Sequence, residues 1–257
     1  MFRNLIPRLA TSFHVVAPDY PGFGQSSMPS HKDYAYTFDN LSKVVEQLVN
    51  KLGLKHYSMY VMDYGAPVGY RLALRQPERV QALIVQNGNA YDEGLLKFWD
   101  PIKKYWKEPT PENRQAIHFL FDAKSTRWQY ENGVSDKTLL DPTTWALDQI
   151  GLDRPGNDEI QLDLFLDYGT NVPLYPKFQE FFRKYQPPTL IVWGTDDIYF
   201  DVKWSHWLSE TIPGTRRRVE LDGARIFFPE ERAAEFNHEL REHLLASSNC
   251  DQCFGSW

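Results

Sequence analysis

Val61-Met62-Asp63-Tyr64-Gly65-Ala66-Pro67-Val68-Gly69 decides the fold. An alternating run from Tyr57 to Val61 leads into it and reads as a strand, and Val68 to Leu74 leads out of it and reads as a helix. A polar residue at a sharp strand-to-helix turn, with glycine at the second position after it, has the layout of a nucleophile elbow. Here the apex is a carboxylate. It is already ionised at neutral pH, so it attacks without a base to deprotonate it. Such a group serves attack on electrophilic carbon, as in an epoxide or a carbon–halogen bond. Asp63 also suits a plain helix N-cap, where Asp is common, and the elbow taken alone leaves both roles open.

On either side the chain alternates strand-like and helix-like runs. His14-Val15-Val16-Ala17-Pro18-Asp19 is a short apolar run that reads as a strand, and Tyr20-Pro21-Gly22-Phe23-Gly24-Gln25-Ser26 follows as a loop. Leu41, Val44, Val45, Leu48, Val49 and Leu52 recur at helical spacing, with Gly53 where a C-cap belongs. Ala82 to Asn87, Thr189 to Gly194 and, more weakly, Arg218 to Leu221 read as further strands, and Pro229 to Leu245 as a last helix. Strands alternating with helices predict an α/β fold, a mostly parallel sheet with helices on both faces. Between Leu95 and Tyr185 strand runs vanish, and aromatic residues and prolines interleave with helix-like pieces. This predicts a helical cap inserted over the carboxyl edge of the sheet, where open α/β sheets bind ligands. The expected organisation is core over 1–94, cap over 95–185, core again over 186–246 and a tail over 247–257.

A length of 257 residues suits one large α/β domain with a lid. The net charge of −6 comes without a basic stripe, which argues against nucleic acid as a partner. No apolar run approaches a membrane span, and the first residues lack the apolar core of a signal peptide. The chain's two cysteines sit close together in the tail, Cys250 and Cys253; with no second pair to complete a site, neither a metal nor a disulfide framework is expected, and the setting is read as reducing and cytoplasmic. The 15% of aromatic residues points to a ring-lined pocket for a small organic substrate.

Asp19-Tyr20-Pro21-Gly22-Phe23-Gly24-Gln25-Ser26, the Asp63 elbow and Pro77-Glu78-Arg79-Val80, in this order, resemble the α/β-hydrolase superfamily. The Asp elbow is similar to its epoxide hydrolase and haloalkane dehalogenase branch. The resemblance runs from Met1 to about Leu245. It implies that Asp63 forms an alkyl ester with the substrate, and that a His oriented by a second carboxylate then activates water; no cofactor is implied. Trp193-Gly194-Thr195-Asp196-Asp197 matches the family's W-G-x-x-D pattern, which makes Asp197 the second carboxylate, with Asp196 a weaker candidate.

Three departures stand out. In Leu221-Asp222-Gly223-Ala224-Arg225-Ile226-Phe227, Arg225 holds the slot of the family's His, and arginine does not serve as a base near neutral pH. It is expected to pair with Asp197 or Asp63. His206, His238 and His243 are poor substitutes, the last two expected on the outer side of the final helix. The second departure is at the start, where Phe2 to Leu9 reads as the helix that normally follows the first strands and an oxyanion loop, so those strands are expected to be missing. The lost strand normally lies between those at 14–19 and 57–63, which leaves their edges facing a gap or forced to re-pair. Finally, Tyr64 stands where many relatives carry Trp.

The resemblance further implies lid tyrosines that donate to an epoxide oxygen. The candidates are Tyr105, Tyr130, Tyr168 and Tyr175, with Tyr130 and Tyr168 the preferred pair and Tyr64 an added substrate contact; a purely packing role is open for each. Three readings follow: an epoxide-hydrolase-like enzyme impaired at Arg225, a dehalogenase-type hydrolase, which Tyr64 in the Trp slot makes less attractive, or a degenerate member that binds a ligand or assists a biosynthetic pathway.

Overall fold

The computed structural model describes residues 1–92, 95–134, 136–224, 226 and 232–247. Among them the sheet has four parallel strands, β1 (Tyr57–Met62), β2 (Val80–Gln86), β3 (Thr189–Gly194) and β4 (Thr215–Leu221), in that spatial order. Alternation along the strands builds two cores. Met59, Val61, Leu83, Val85, Ile191 and Trp193 face one side, and Ile84, Leu190 and Val192 face the other. Successive side chains of a strand point to opposite faces, so a continuous apolar run such as Leu83-Ile84-Val85 is buried on both. Each of these side chains contributes about 1.5–3 kcal/mol of transfer free energy.

The first face is covered by α2 (Phe38–Lys51) and α3 (Gly65–Arg75). Helix α2 starts at Thr37, whose side chain accepts from the Asn40 N–H, and ends before Gly53, which sits at φ +67°. Its buried apolar residues are Phe38, Leu41 and Val49, whereas Val44 and Leu52 stay exposed, so the buried stripe is narrower than the spacing predicted. The second face is covered by Leu5, just before α1 (Ile6–Leu9), and by Phe236, Leu240 and Leu244 of α11, the last helix (Ala233–Ser247).

The run at 14–19 does not form a strand. It is irregular, and Val16, Ala17 and Asp19 are exposed. A strand needs a neighbour to take its N–H and C=O groups. Among the described residues β1 is the sheet edge and nothing ladders onto it from this side. The loop that follows is nevertheless ordered around Asp19, whose carboxylate accepts from the Gln25 N–H at 2.9 Å and whose carbonyl accepts from Ser26 Oγ at 2.7 Å. Gly24 is required there, at φ +45° with a Cβ position 2.3 Å from the Asp19 carboxylate.

Between β2 and β3 runs a helical insert: α4 (Asp100–Lys107), α5 (Pro111–Ala116), α6 (Ala123–Glu131), α7 (Thr143–Leu152), α8 (Asn157–Asp167) and α9 (Tyr175–Tyr185). It is tied to the sheet's carboxyl side by Trp99, whose Nε1 donates to the Tyr199 carbonyl at 3.1 Å. Helix α10 (Lys203–Thr211) links β3 to β4. No helix among the described residues is long and apolar enough to cross a membrane.

Candidate active site

The register Met62↔Gln86 brings the residues after β1 and β2, Asp63 and Asn87, to the same sheet edge. Both take left-handed backbone, φ +46° and +42°, a conformation uncommon for residues other than glycine that clusters at functional sites. The turn at Asp63 is tight because α3 descends directly onto β1: a Cβ on Gly69 would lie 2.5 Å from Val61 Cγ1. Helix α3 has Tyr64 at its N-cap position and no side-chain cap. The Asp63 carboxylate instead lines a cavity of about 210 Å³.

Aromatic and aliphatic side chains form most of its wall: Phe98, Trp99, Leu120, Phe121, Phe165 and Tyr199, with Leu152 and Tyr64. The polar side chains on it are Asp63, Gln129 and Gln161, and no Lys, Arg or His is among the lining residues described. Desolvation by these walls raises the Asp63 pKa to about 6, against the Tyr64 N–H, which lowers it. The group is thus mostly ionised at neutral pH, yet less comfortably than an exposed aspartate.

Asp197 is buried on the loop after β3, while Asp196 beside it is exposed. Asp197 accepts from the Tyr199 N–H at 2.8 Å and from Asn87 Nδ2 at 2.6 Å. Asn87 Oδ1 in turn accepts from the Gly194 N–H at 3.3 Å. Burial raises the Asp197 pKa to about 7; these hydrogen bonds oppose the rise and the charge on Asp63 adds to it. The two carboxylates therefore feel each other across the edge of the sheet.

Arg225 lies outside the described residues, as do Cys250 and Cys253. Its neighbours are fixed at the carboxyl edge: the Ala224 carbonyl accepts from the Asp196 N–H at 3.0 Å, and the Ile226 carbonyl accepts from Gln86 Nε2 at 2.6 Å. The histidines lie elsewhere. His206 pairs with Glu220 at 2.9 Å and His238 is exposed. His243, expected on the outer side of its helix, is buried against the backbone of Pro188 and Leu83, and burial lowers its pKa. Pro188 precedes β3, so His243 sits toward the amino end of the strand whose far end leads to Asp197.

The tyrosines divide. The Tyr64 ring lies on the cavity wall, with its hydroxyl buried and without a partner among the described residues. Tyr168 stacks on Trp106 at 6.0 Å and lies 5.9 Å from the Tyr64 ring, and its hydroxyl pairs with that of Tyr175, which accepts from Asn89 Nδ2. Tyr130 is buried within the insert, its hydroxyl donating to Asp148 at 2.5 Å. Neither Tyr130 nor Tyr168 is among the residues that line the Asp63 cavity.

A model described as the alpha/beta hydrolase fold matches residues 1–232. The chain belongs to the α/β-hydrolase family. It is 44% identical over 206 residues to an uncharacterized hydrolase of Saccharomyces cerevisiae, covering 79% of this chain and 70% of that one. It is 26% identical over 222 residues to a cis-3-alkyl-4-alkyloxetan-2-one decarboxylase of Shewanella oneidensis, covering 79% and 66%. Identity to epoxide hydrolase 1 of Caenorhabditis elegans is 23% over 260 residues, covering 95% and 61%. The chain thus spans about two thirds of the length of these relatives. In fold it resembles the haloalkane dehalogenase DbeA of Bradyrhizobium elkani, with a TM-score of 0.73 and 16% identity over 96% of this chain and 85% of that one.

Within this α/β-hydrolase site, three side chains escape sequence reasoning. Asn87 carried a usable signal, since it ends a strand at the carboxyl edge, where such sheets place ligands. Gln129 and Gln161 carried none, as two glutamines on helices 32 residues apart look like ordinary surface residues.

Proposed function

We propose that this α/β-hydrolase family member attacks small, neutral organic electrophiles through Asp63, with epoxides preferred and the helical insert acting as the cap. The observation that carries this is the Asp63 carboxylate, held on left-handed backbone at the end of β1 and lining an apolar cavity. An apolar cavity of about 150 Å³ accommodates benzene, so 210 Å³ suits one ring with a short substituent. In the proposed step an Asp63 oxygen bonds to a ring carbon of the epoxide. The carbon–oxygen bond breaks, the oxygen leaves with the electron pair, and a hydroxyalkyl ester remains after water supplies a proton.

Hydrolysis of that ester needs an activated water. No histidine is among the described residues lining the cavity, and general-base help is worth about 10²–10⁴-fold. With Arg225 in the sequence slot of the base, the ester forms and then turns over slowly. Asp197, held by Asn87, is the second carboxylate of this scheme. That no histidine is among the described lining residues also supports a second reading, a ligand-binding or accessory protein that does no chemistry.

Intact-mass spectrometry after incubation with styrene oxide separates the two. An added mass mapped to Asp63 and absent from D63N supports the nucleophile. No adduct across a panel of aryl and alkyl epoxides and haloalkanes leaves the binding reading.

A further inference from the structure

Gln161 lies on α8 one helical turn before Phe165, and both line the Asp63 cavity. Residues four apart share a helix face, so α8 presents one amide and one ring to the same space. Gln161 is 5% exposed, which makes its amide a buried polar group. Its orientation is fixed by a chain of hydrogen bonds. Asn157 Nδ2 donates to the Gly151 carbonyl at 2.7 Å, so Asn157 Oδ1 must accept, and Gln161 Nε2 donates to it at 3.2 Å. That leaves Gln161 with one N–H and its carbonyl oxygen without a protein partner among the described residues. Gln129, reaching the same cavity from α6, is half-buried, and its side chain has no hydrogen bond among the described residues.

Every other wall residue is apolar or aromatic except Asp63. Beside the Tyr64 hydroxyl, which is buried and without a partner among the described residues, the amides are the neutral donors this wall offers to a ligand that has displaced water. The tyrosines expected to donate are committed elsewhere, Tyr130 to Asp148 and Tyr168 to Tyr175.

We propose that Gln161, assisted by Gln129, binds the substrate oxygen that gains charge when Asp63 attacks carbon, and so selects neutral substrates whose leaving oxygen stays attached. This rests on the nucleophile reading for its chemistry, though not for its binding. When the Asp63–carbon bond forms and the carbon–oxygen bond breaks, the electron pair remains on oxygen, and the Gln161 N–H hydrogen-bonds it until water protonates it. The amide gives up no proton. A preorganised donor of this kind in a water-excluded site acts chiefly where charge develops. A halide-releasing substrate gains less, because a halide ion is a weaker acceptor than an alkoxide.

The test uses the full chain and two readouts. In the D63N protein, where no ester forms, Kd is measured for styrene oxide and for styrene, which has the same ring and no oxygen. Q161M in that background is expected to weaken styrene oxide about threefold to tenfold, the ground-state worth of one hydrogen bond, and to leave styrene unchanged. Q129M is expected to act in the same direction and less strongly, and it provides the measurement if Q161M does not fold. In the Asp63 protein, Q161M is expected to slow adduct formation about 10²-fold. If oxide and styrene affinities shift together, or neither shifts, the amide pair has no role in oxygen recognition and the inference is wrong. If the wild-type chain forms no adduct yet D63N discriminates oxide from styrene through Gln161, the nucleophile falls and the oxygen site stands.

Discussion

Two hollows on this molecule invite comparison. One, about 1130 Å³, is an open groove bordered by His31, Lys103, Trp106, Lys107, Asp163 and Asp167. The other is about a fifth of that volume and holds Asp63. In the groove the carboxylates are spoken for. Asp163 pairs with His31 at 2.9 Å and Arg114 at 3.2 Å, and Asp167 accepts from the Phe38 N–H at 2.7 Å. Lys103 donates to the Leu95 carbonyl at 2.9 Å. In the small cavity Asp63 meets no cation among the described lining residues, and burial pushes its pKa upward. The proposed reactivity rests on this contrast and not on volume: a paired, solvated carboxylate is a poor nucleophile, whereas a desolvated one retains its lone pairs for a ligand.

The sharpest way to break the contrast is to remove each carboxylate in turn. D63N is expected to reduce the epoxide adduct at least 100-fold, and D163N to change it less than twofold, both read by intact mass. Asparagine tolerates left-handed backbone, so D63N should keep the elbow.

A second test is the pH profile of adduct formation. In the proposed step only ionised Asp63 attacks, so the rate should fall about tenfold per pH unit below a midpoint near 6 and level off above it. Linkage gives the matching stability effect. Asp63 and Asp197 both have pKa values raised on folding, from 3.8 to about 6 and about 7. Their contribution is thus full below about pH 4 and is lost as pH rises through those values. D63N should therefore stabilise the fold by about 1–3 kcal/mol at pH 8 and by almost nothing at pH 4, measured by urea denaturation. Removing the Asp63 charge should also lower the midpoint of Asp197.

Asn87 sharpens the comparison from the other carboxylate. N87A takes a donor from buried Asp197 and an acceptor from the Gly194 N–H. A loss of about 1–3 kcal/mol in unfolding free energy is expected, with the Asp197 midpoint moving further up. The smallest effect belongs to Y130F. It removes a hydrogen bond to Asp148 within the insert and should cost about 0.5–1.5 kcal/mol. Discrimination between styrene oxide and styrene should not change.

The elbow, the strand runs from Tyr57 onward and the helix from Phe38 were legible because their signals are local. Alternation, helical spacing and turn glycines act over a few residues, and chain order then fits the α/β-hydrolase family. Asp197 was legible through its short motif, and in the structure it is the buried member of the Asp196–Asp197 pair. The run at 14–19 misled because its apolar pattern says nothing about a partner strand, and a strand without one leaves its backbone to water. His243 misled because helix position alone does not say which face meets the sheet.

What the sequence determined by itself is the kind of protein this is: a parallel sheet, an interrupting set of helices and an aspartate at the apex of a tight turn. What only the tertiary structure decided is the company that aspartate keeps. Asn87 reaches Asp197 across 110 positions of chain, and Gln161 lines the Asp63 cavity 98 positions away in the sequence. Such meetings depend on how the layers close over one another. No short-range periodicity encodes them, because side-chain burial and hydrogen-bond partners are set by the packing of distant segments.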